Sequence, residues 1–252
     1  MPTSDNDPPP VYREIAEELR AAITSGRLSD GDRVPGENDL MKRYGVARAT
    51  ARQALSVLIN EGIVVPIRGS GVYVRAFRPL RRHGPKRLSR DLWGGGRAIW
   101  QADAGDRPFE TDSVEVDEVP AQPHVARALD LPERAPVLRR RRRYRLDERP
   151  MQLATSYLPR ELVHGTPIAE IDTGPGGIYA RLAELGHAPA HFTEEIRVRM
   201  PTPGEIEALS LSAGTPVLDV LRTALTDARL AVELNEMTLD GSAYVLQYDF
   251  EA

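Results

Sequence analysis

GVARATARQALSVLINEG runs from Gly45 to Gly62, and the placement of its apolar residues decides how the sequence around it is read. Ala51, Ala54, Leu55 and Leu58 fall at spacings of 0, 3, 4 and 7, which predicts a helix with one buried face. At about 100° per residue the outer face carries Ala49, Arg52, Gln53, Ser56 and Asn60, flanked by Arg48. Upstream, Tyr12, Ile15, Leu19, Ala22 and Ile23 keep a helical period from Val11 until Gly26. SDGDRVPGE (Ser29–Glu37) is turn chemistry, and a short helix through Leu40 and Met41 to Tyr44 is stopped by Gly45. Downstream, the β-rich runs Ile63–Ile67 and Val72–Val74 enclose Arg68-Gly69-Ser70-Gly71, a hairpin tip.

Two helices joined by a tight glycine-containing turn, the second presenting polar residues near its start, describe a helix-turn-helix whose second helix enters the DNA major groove. Arginine's planar fork matches guanine O6 and N7, which makes Arg48 and Arg52 candidate base readers. Thr50 and Gln53 offer hydroxyl and amide groups to phosphates or base edges. Arg68 beside Gly69 gives the hairpin a basic tip open to close approach by a phosphate backbone or a minor groove. The plainer alternatives are a solvated helix surface and an ordinary hairpin turn.

The whole-chain composition fits this reading. With 252 residues, 41% hydrophobic, the chain has room for two cores. Its net charge of −4 hides an asymmetry: residues 1–97 hold 17 Lys/Arg against 11 Asp/Glu, and the remainder 16 against 26. Residues 33–97 hold 14 basic against 4 acidic side chains, as a segment facing a polyanion would. The absence of cysteine removes disulfides, thiolate metal sites and thiol nucleophiles. No run of roughly 18 apolar residues exists and MPTSDNDPPP is polar and proline-rich, so a cytoplasmic chain with a disordered tail over residues 1–10 is expected.

From Tyr12 to Val74 the sequence resembles the DNA-binding domain of GntR-type bacterial transcription regulators almost end to end. The resemblance implies a winged helix-turn-helix over residues 11–75, with DNA contacts from Arg48, Ala49, Thr50 and Arg52 and with Gly69 in the minor groove. Two positions depart from the family pattern. Ala47 stands where serine is usual, removing a helix N-cap worth roughly 1 kcal/mol. Asn38 stands where many members carry a phosphate-contacting arginine, although the HutC subfamily often has asparagine there.

Residues 76–97, including RRHGPKRLSRDLWGGGR, have the glycines, prolines and charges of a linker. Beyond it, RALDLPERAPVLRRRRRYRLDERPMQLATSYLP, IYARLAELGH, EIEALSLSAGTPVLDVLRTAL and VELNEMTLDGSAYVLQYDF resemble the UTRA effector-binding domain, related in fold to chorismate lyase. The expected fold is therefore α+β: an N-terminal winged helix-turn-helix followed, over residues 98–252, by an antiparallel sheet flanked by helices.

The residues of that region support a sheet independently. Val137–Leu146 and Met151–Leu158, bridged by Asp147-Glu148-Arg149-Pro150, predict an antiparallel hairpin. Alternation sends Arg140, Arg142 and Tyr144 to one face and Arg139, Arg141 and Arg143 to the other. An inward arginine needs an anion, either an internal carboxylate or an anionic ligand. The UTRA resemblance places Arg142 and Tyr144 at the ligand. Gly174-Pro175-Gly176-Gly177 opens a helix Ile178–Leu185 whose free N–H groups could face an anion, though an ordinary helix start reads the same way. The resemblance maps ligand contacts onto Gly177, Ile178 and Tyr179. Glu233, Asn235 and Met237 alternate on a strand, with Tyr244 on the next, as further cavity or strand-surface residues.

Enzymatic readings are weaker. His187, His191, Glu194 and Glu195 suit a metal by type, but Pro189 interrupts the helix that paired histidines require. Ser156 and His164 lack a nucleophile-elbow context. No cofactor or metal is expected. The sequence reads as a homodimeric, effector-responsive repressor of a palindromic operator, the alternatives being a dimerisation-only second domain or a chorismate-lyase-like enzyme.

Overall fold

The computed structural model describes residues 9–75, 80–94, 99–105, 107–147 and 149–249. The chain divides into two compact units, one of Met1–Arg78 with Ser212–Thr215, the other of Pro79–Leu211 and Pro216–Ala252.

The smaller unit is three helices and a hairpin: α1 (Val11–Thr24), α2 (Glu37–Tyr44), α3 (Arg48–Asn60), β1 (Val64–Ile67) and β2 (Gly71–Val74). The apolar period of α3 packs as its spacing requires, with Ala51, Ala54, Leu55 and Leu58 against Ile15, Ala16, Leu19 and Leu40. Gly45 ends α2 in a left-handed conformation at φ 64°, its N–H donating to Met41 O, which lets the chain turn directly into α3. Ala47 occupies the N-cap of α3 and provides no side-chain acceptor. β1 and β2 pair antiparallel with Ile67 opposite Gly71. The turn Ser29–Glu37 contributes more than a turn. Val34 N–H donates to Val72 O at 2.8 Å and Val74 N–H to Asp32 O at 2.8 Å, so residues 32–34 line the hairpin as a third extended segment.

The larger unit begins with β3 (Leu80–His83), α4 (Arg90–Gly94) and α5 (Ile99–Ala104). There follow β4 (Phe109–Pro120), α6 (Pro123–Ala128), β5 (Pro136–Leu146), β6 (Arg149–Pro159), α7 (Arg160–Val163) and α8 (Gly177–Glu184). The chain ends with β7 (His191–Arg199), α9 (Pro203–Leu209), β8 (Val217–Leu225), β9 (Ala231–Asp240) and β10 (Tyr244–Gln247). Six strands form an antiparallel sheet in the order β4-β5-β6-β9-β8-β7. On one face Leu138, Leu158, Ala224 and Val232 pack with Trp93, Ile178, Tyr179 and Leu182. On the other, Val137, Tyr157 and Leu234 pack with Val125 and Leu129.

The linker expected over residues 76–97 is largely replaced by structure in its described part. β3 pairs in parallel with β10, Leu80 opposite Tyr244, and Leu80 and Trp93 are buried. The strand partner lies more than 160 residues away, beyond the reach of any local pattern. The tail expected over residues 1–10 falls outside the described residues except for Pro9 and Pro10, both exposed.

Candidate functional site

The outer face of α3 is assembled as the helical period demands. Arg48, Ala49, Arg52 and Gln53 are exposed and Thr50 is half-buried. The two arginines are not free in solution: Arg52 Nε donates to Glu37 Oε1 at 2.9 Å, and Arg48 Nη2 donates to Asn38 Oδ1 at 2.9 Å. The Arg52 hydrogen bond holds the Glu37 carboxyl below the ordinary carboxylate range. The first turn of α2 thus presents Glu37 and Asn38 to the arginines of α3. At the hairpin tip Arg68 is exposed, and Gly69 sits at φ 76° with open space where a side chain would project. Ser70 Oγ lies 2.5 Å from Tyr73 Oη, and the Arg33 guanidinium packs against Gly71, so the tip is braced from its base.

In the larger unit a cavity of about 400 Å³ opens on the sheet face beneath α8. Arg142, Tyr144, Gly177, Ile178, Tyr179, Glu233 and Asn235 all line it. The inward arginines of β5 differ in role. Arg140 is buried and donates to the backbone carbonyls of Ile168, at 2.6 Å, Glu170, and Ile171, at 3.0 Å. Its partner is therefore neither a carboxylate nor a ligand but the loop that leads into α8. Burial, with Arg142 nearby, pushes Arg140 down to about 10, still well protonated at neutral pH. Arg142 donates to Ser156 Oγ and stacks 5.9 Å from the Tyr144 ring centre. Its Nε is buried without a hydrogen-bond partner among the described residues, as are Arg140 Nε and Asn235 Oδ1. The outward row is satisfied by β4: Arg139 Nη2 meets Asp117 Oδ2 at 2.5 Å, and Arg141 and Arg143 meet Glu115 and Asp112.

The cavity floor is a buried ionic layer. Arg222 donates through Nε to Glu194 Oε1 at 2.8 Å and through Nη1 to Tyr179 Oη at 3.4 Å. Arg82 also bonds Glu194, and Arg87 Nη2 meets Asp103 Oδ2 at 2.7 Å. Burial opposes charge on Glu194, yet Arg222, Arg82 and Arg87 hold its carboxyl below the ordinary range. Burial, with Glu233 beside it, pushes the Tyr179 phenol up. Three arginines face two carboxylates here, and Arg87 and Arg222 line the cavity itself.

Residues 11–74 match the bacterial regulatory proteins of the gntR family, and residues 104–245 match the UTRA domain. The chain belongs to the GntR family. An uncharacterised HTH-type transcriptional regulator of Streptomyces coelicolor is 33% identical over 96% of this chain and 93% of its own length. The mannosyl-D-glycerate transport/metabolism system repressor MngR of Escherichia coli is 30% identical over 88% of both chains. The repressor NagR of Bacillus subtilis is 25% identical over 97% of this chain and 96% of its own. PhnF from Mycobacterium smegmatis shares the fold, at TM-score 0.58 and 23% identity over 96% of this chain and 100% of that one. This GntR-family protein is a transcriptional regulator with a winged helix-turn-helix unit and a UTRA effector domain, the arrangement of HutC-type members.

Several expected positions move in this GntR regulator. Tyr244 does not line the cavity. β10 leaves the main sheet to pair with β3, and the Tyr244 hydroxyl donates at 3.5 Å to Oε1 of Gln152, which does line the cavity. His187, His191, Glu194 and Glu195 do not converge, because strand alternation turns Glu194 inward to arginine and Glu195 outward. Among the described residues no group of three or more His, Asp or Glu is placed to hold a metal. Ser156 Oγ accepts from Arg142, while His164 meets Glu118. Sequence reasoning missed Arg33, Arg87 and Arg222. Arg222 carried a signal, since it alternates with the buried Val220 and Ala224 on β8; Arg87 carried none.

No helix is long and apolar enough to cross a membrane among the described residues.

Proposed function

We propose that this GntR-family regulator is a repressor that binds a roughly palindromic operator as a homodimer and is released by an anionic small molecule held in the UTRA cavity. The carrying observation is the cavity's charge: among the described residues Arg87, Arg140, Arg142 and Arg222 line it against two carboxylates, Glu233 and Asp172. The buried Nε–H of Arg142 has no hydrogen-bond partner among the described residues, so a carboxylate or phosphate would complete it. The repressors NagR and MngR support the direction of regulation, and mannosyl-D-glycerate, in whose system MngR is named, carries a carboxylate.

On the DNA side, Arg48, Thr50, Arg52 and Gln53 read base edges, Asn38 and Ala49 touch the backbone, and Arg68 and Gly69 follow the minor groove. One α3 helix reads too few base pairs for useful selectivity, and two half-sites about one DNA turn apart multiply it. The protein works in the cytoplasm, where that DNA is. Catalysis is not part of this reading, because it would leave the exposed arginine face of α3 without a role. The effector acts by binding DNA-free and DNA-bound conformers with different affinity.

Selection of bound duplexes from random DNA, followed by a thermal-shift screen of carboxylated and phosphorylated metabolites, tests both halves. Enrichment of a two-fold symmetric site, and a stabilising anion that releases it, is the expected result. No enriched site, or release by neutral ligands only, would overturn it.

A further inference from the structure

A second cavity, of about 790 Å³, opens in the larger unit across the ionic layer from the first. Among the described residues the two share no lining side chain, yet two contacts form the wall between them. The Phe192 ring lies 5.5 Å from the Tyr179 ring, and Glu194 Oε1 accepts from Arg222 Nε at 2.8 Å. Phe192 and Glu194, two apart on β7 and so on one face, line the second cavity, whereas Tyr179 and Arg222 line the first.

The linings differ in sign. The first cavity presents four arginines; the charged side chains described around the second are Glu194, Asp227 and Arg90. Asp227 and Arg90 are exposed, while the Glu194 side chain is 12% accessible and makes the deep charge. Both hydrogen bonds that Glu194 accepts among the described residues, from Arg82 and Arg222, fall on Oε1, which leaves Oε2 as an acceptor toward this cavity. An aromatic ring stands beside it. Gly84 makes room for Tyr248, since a Cβ at residue 84 would come 2.5 Å from that ring, and Gly84 N–H donates to Gln247 O at 2.7 Å. Burial, and then the Glu194 charge, push the Tyr248 phenol up, so its hydroxyl stays protonated. Leu88, Pro189 and Phe192 supply apolar wall.

We propose that this cavity is a second ligand site, separate from the effector cavity, for an organic cation with an aromatic or other apolar body. The ammonium group bonds Glu194 Oε2 and meets the Tyr248 ring, and the body packs on Leu88, Pro189 and Phe192. Site and ligand class follow from this lining and stand independently of the anion in the first cavity.

Calorimetric titration of the full chain with tryptamine, its neutral analogue tryptophol and its anionic analogue indole-3-acetate tests the site. Tryptamine should bind saturably and roughly tenfold more tightly than tryptophol. Ala190→Trp fills the exposed mouth and should abolish tryptamine binding, and Tyr248→Ala should weaken it roughly fivefold. Arg142→Ala, in the first cavity, should change it less than about twofold. Glu194→Gln should bring tryptamine down to the level of tryptophol. Because Glu194 sits among three arginines and its loss could unfold the unit, the variants at the exposed positions 190 and 248 carry the test by themselves, with melting curves confirming the fold. Lack of saturable tryptamine binding, binding indifferent to Ala190→Trp, or equal binding of all three compounds at this site would overturn the proposal.

Discussion

Arg52 Nε donates to Glu37 Oε1 at 2.9 Å, which ties the reading face of α3 to the first turn of α2 before any DNA is present. Arg48 leans on the same two-residue shelf, 3.7 Å from Glu37 and hydrogen-bonded to Asn38. The shelf orients both guanidinium groups and also competes with a base for them. Replacing Glu37 by glutamine removes the charge. Binding to non-specific duplex should rise several-fold, and the ratio of specific to non-specific affinity should fall, measured by gel shift at two salt concentrations.

Arg48→Ala and Arg52→Ala should each cost about 1–3 kcal/mol of discrimination at a particular base pair, read as relaxed preference in a competition titration. Arg68→Ala at the hairpin tip should instead weaken all sequences alike and lower the salt dependence. Unchanged preference in both α3 variants would remove the reading helix from the mechanism.

Ala47→Ser adds the acceptor that the N-cap of α3 lacks. Its backbone already has extended cap geometry, φ −67° and ψ 155°, so the gain should come without rearrangement. Stability of the DNA-binding unit should rise by about 1 kcal/mol in urea titration.

Arg140→Ala and Arg142→Ala separate support from recognition. Arg140 holds three loop carbonyls, so its loss should lower the melting temperature and the effector response together. Arg142 lines the cavity and bonds only Ser156 among the described hydrogen bonds, so its loss should abolish effector release while sparing operator binding and most of the stability.

Acid sensitivity of the effector unit should include a share from Glu205. Arg199 grips this carboxylate at 2.7 and 2.8 Å and Thr202 N–H adds a bond at 2.8 Å, pulling it down to about 2. A depressed carboxyl stabilises the fold above its unfolded value near 4.5, and that contribution is lost as pH falls toward about 2. Glu205→Gln should therefore be less stable at pH 7, with a shallower loss between pH 4.5 and 2 in acid-unfolding curves.

The sequence by itself determined the elements whose code is local. The spacing of Ala51, Ala54, Leu55 and Leu58, the stop at Gly45, and the alternation through Arg139–Tyr144 each depend on neighbours a few residues away, and the structure has them where the periods put them. Tertiary structure decided what those side chains meet. Arg140 and Arg142 share a face and a residue type, yet one serves a backbone loop and the other the cavity, because the Ile168–Ile171 segment reaches only the first. Arg87 joins the cavity and Tyr244 leaves it for a related reason. The parallel pairing of β3 with β10 brings together segments from opposite ends of the unit, and no period in either could announce a partner so distant along the chain.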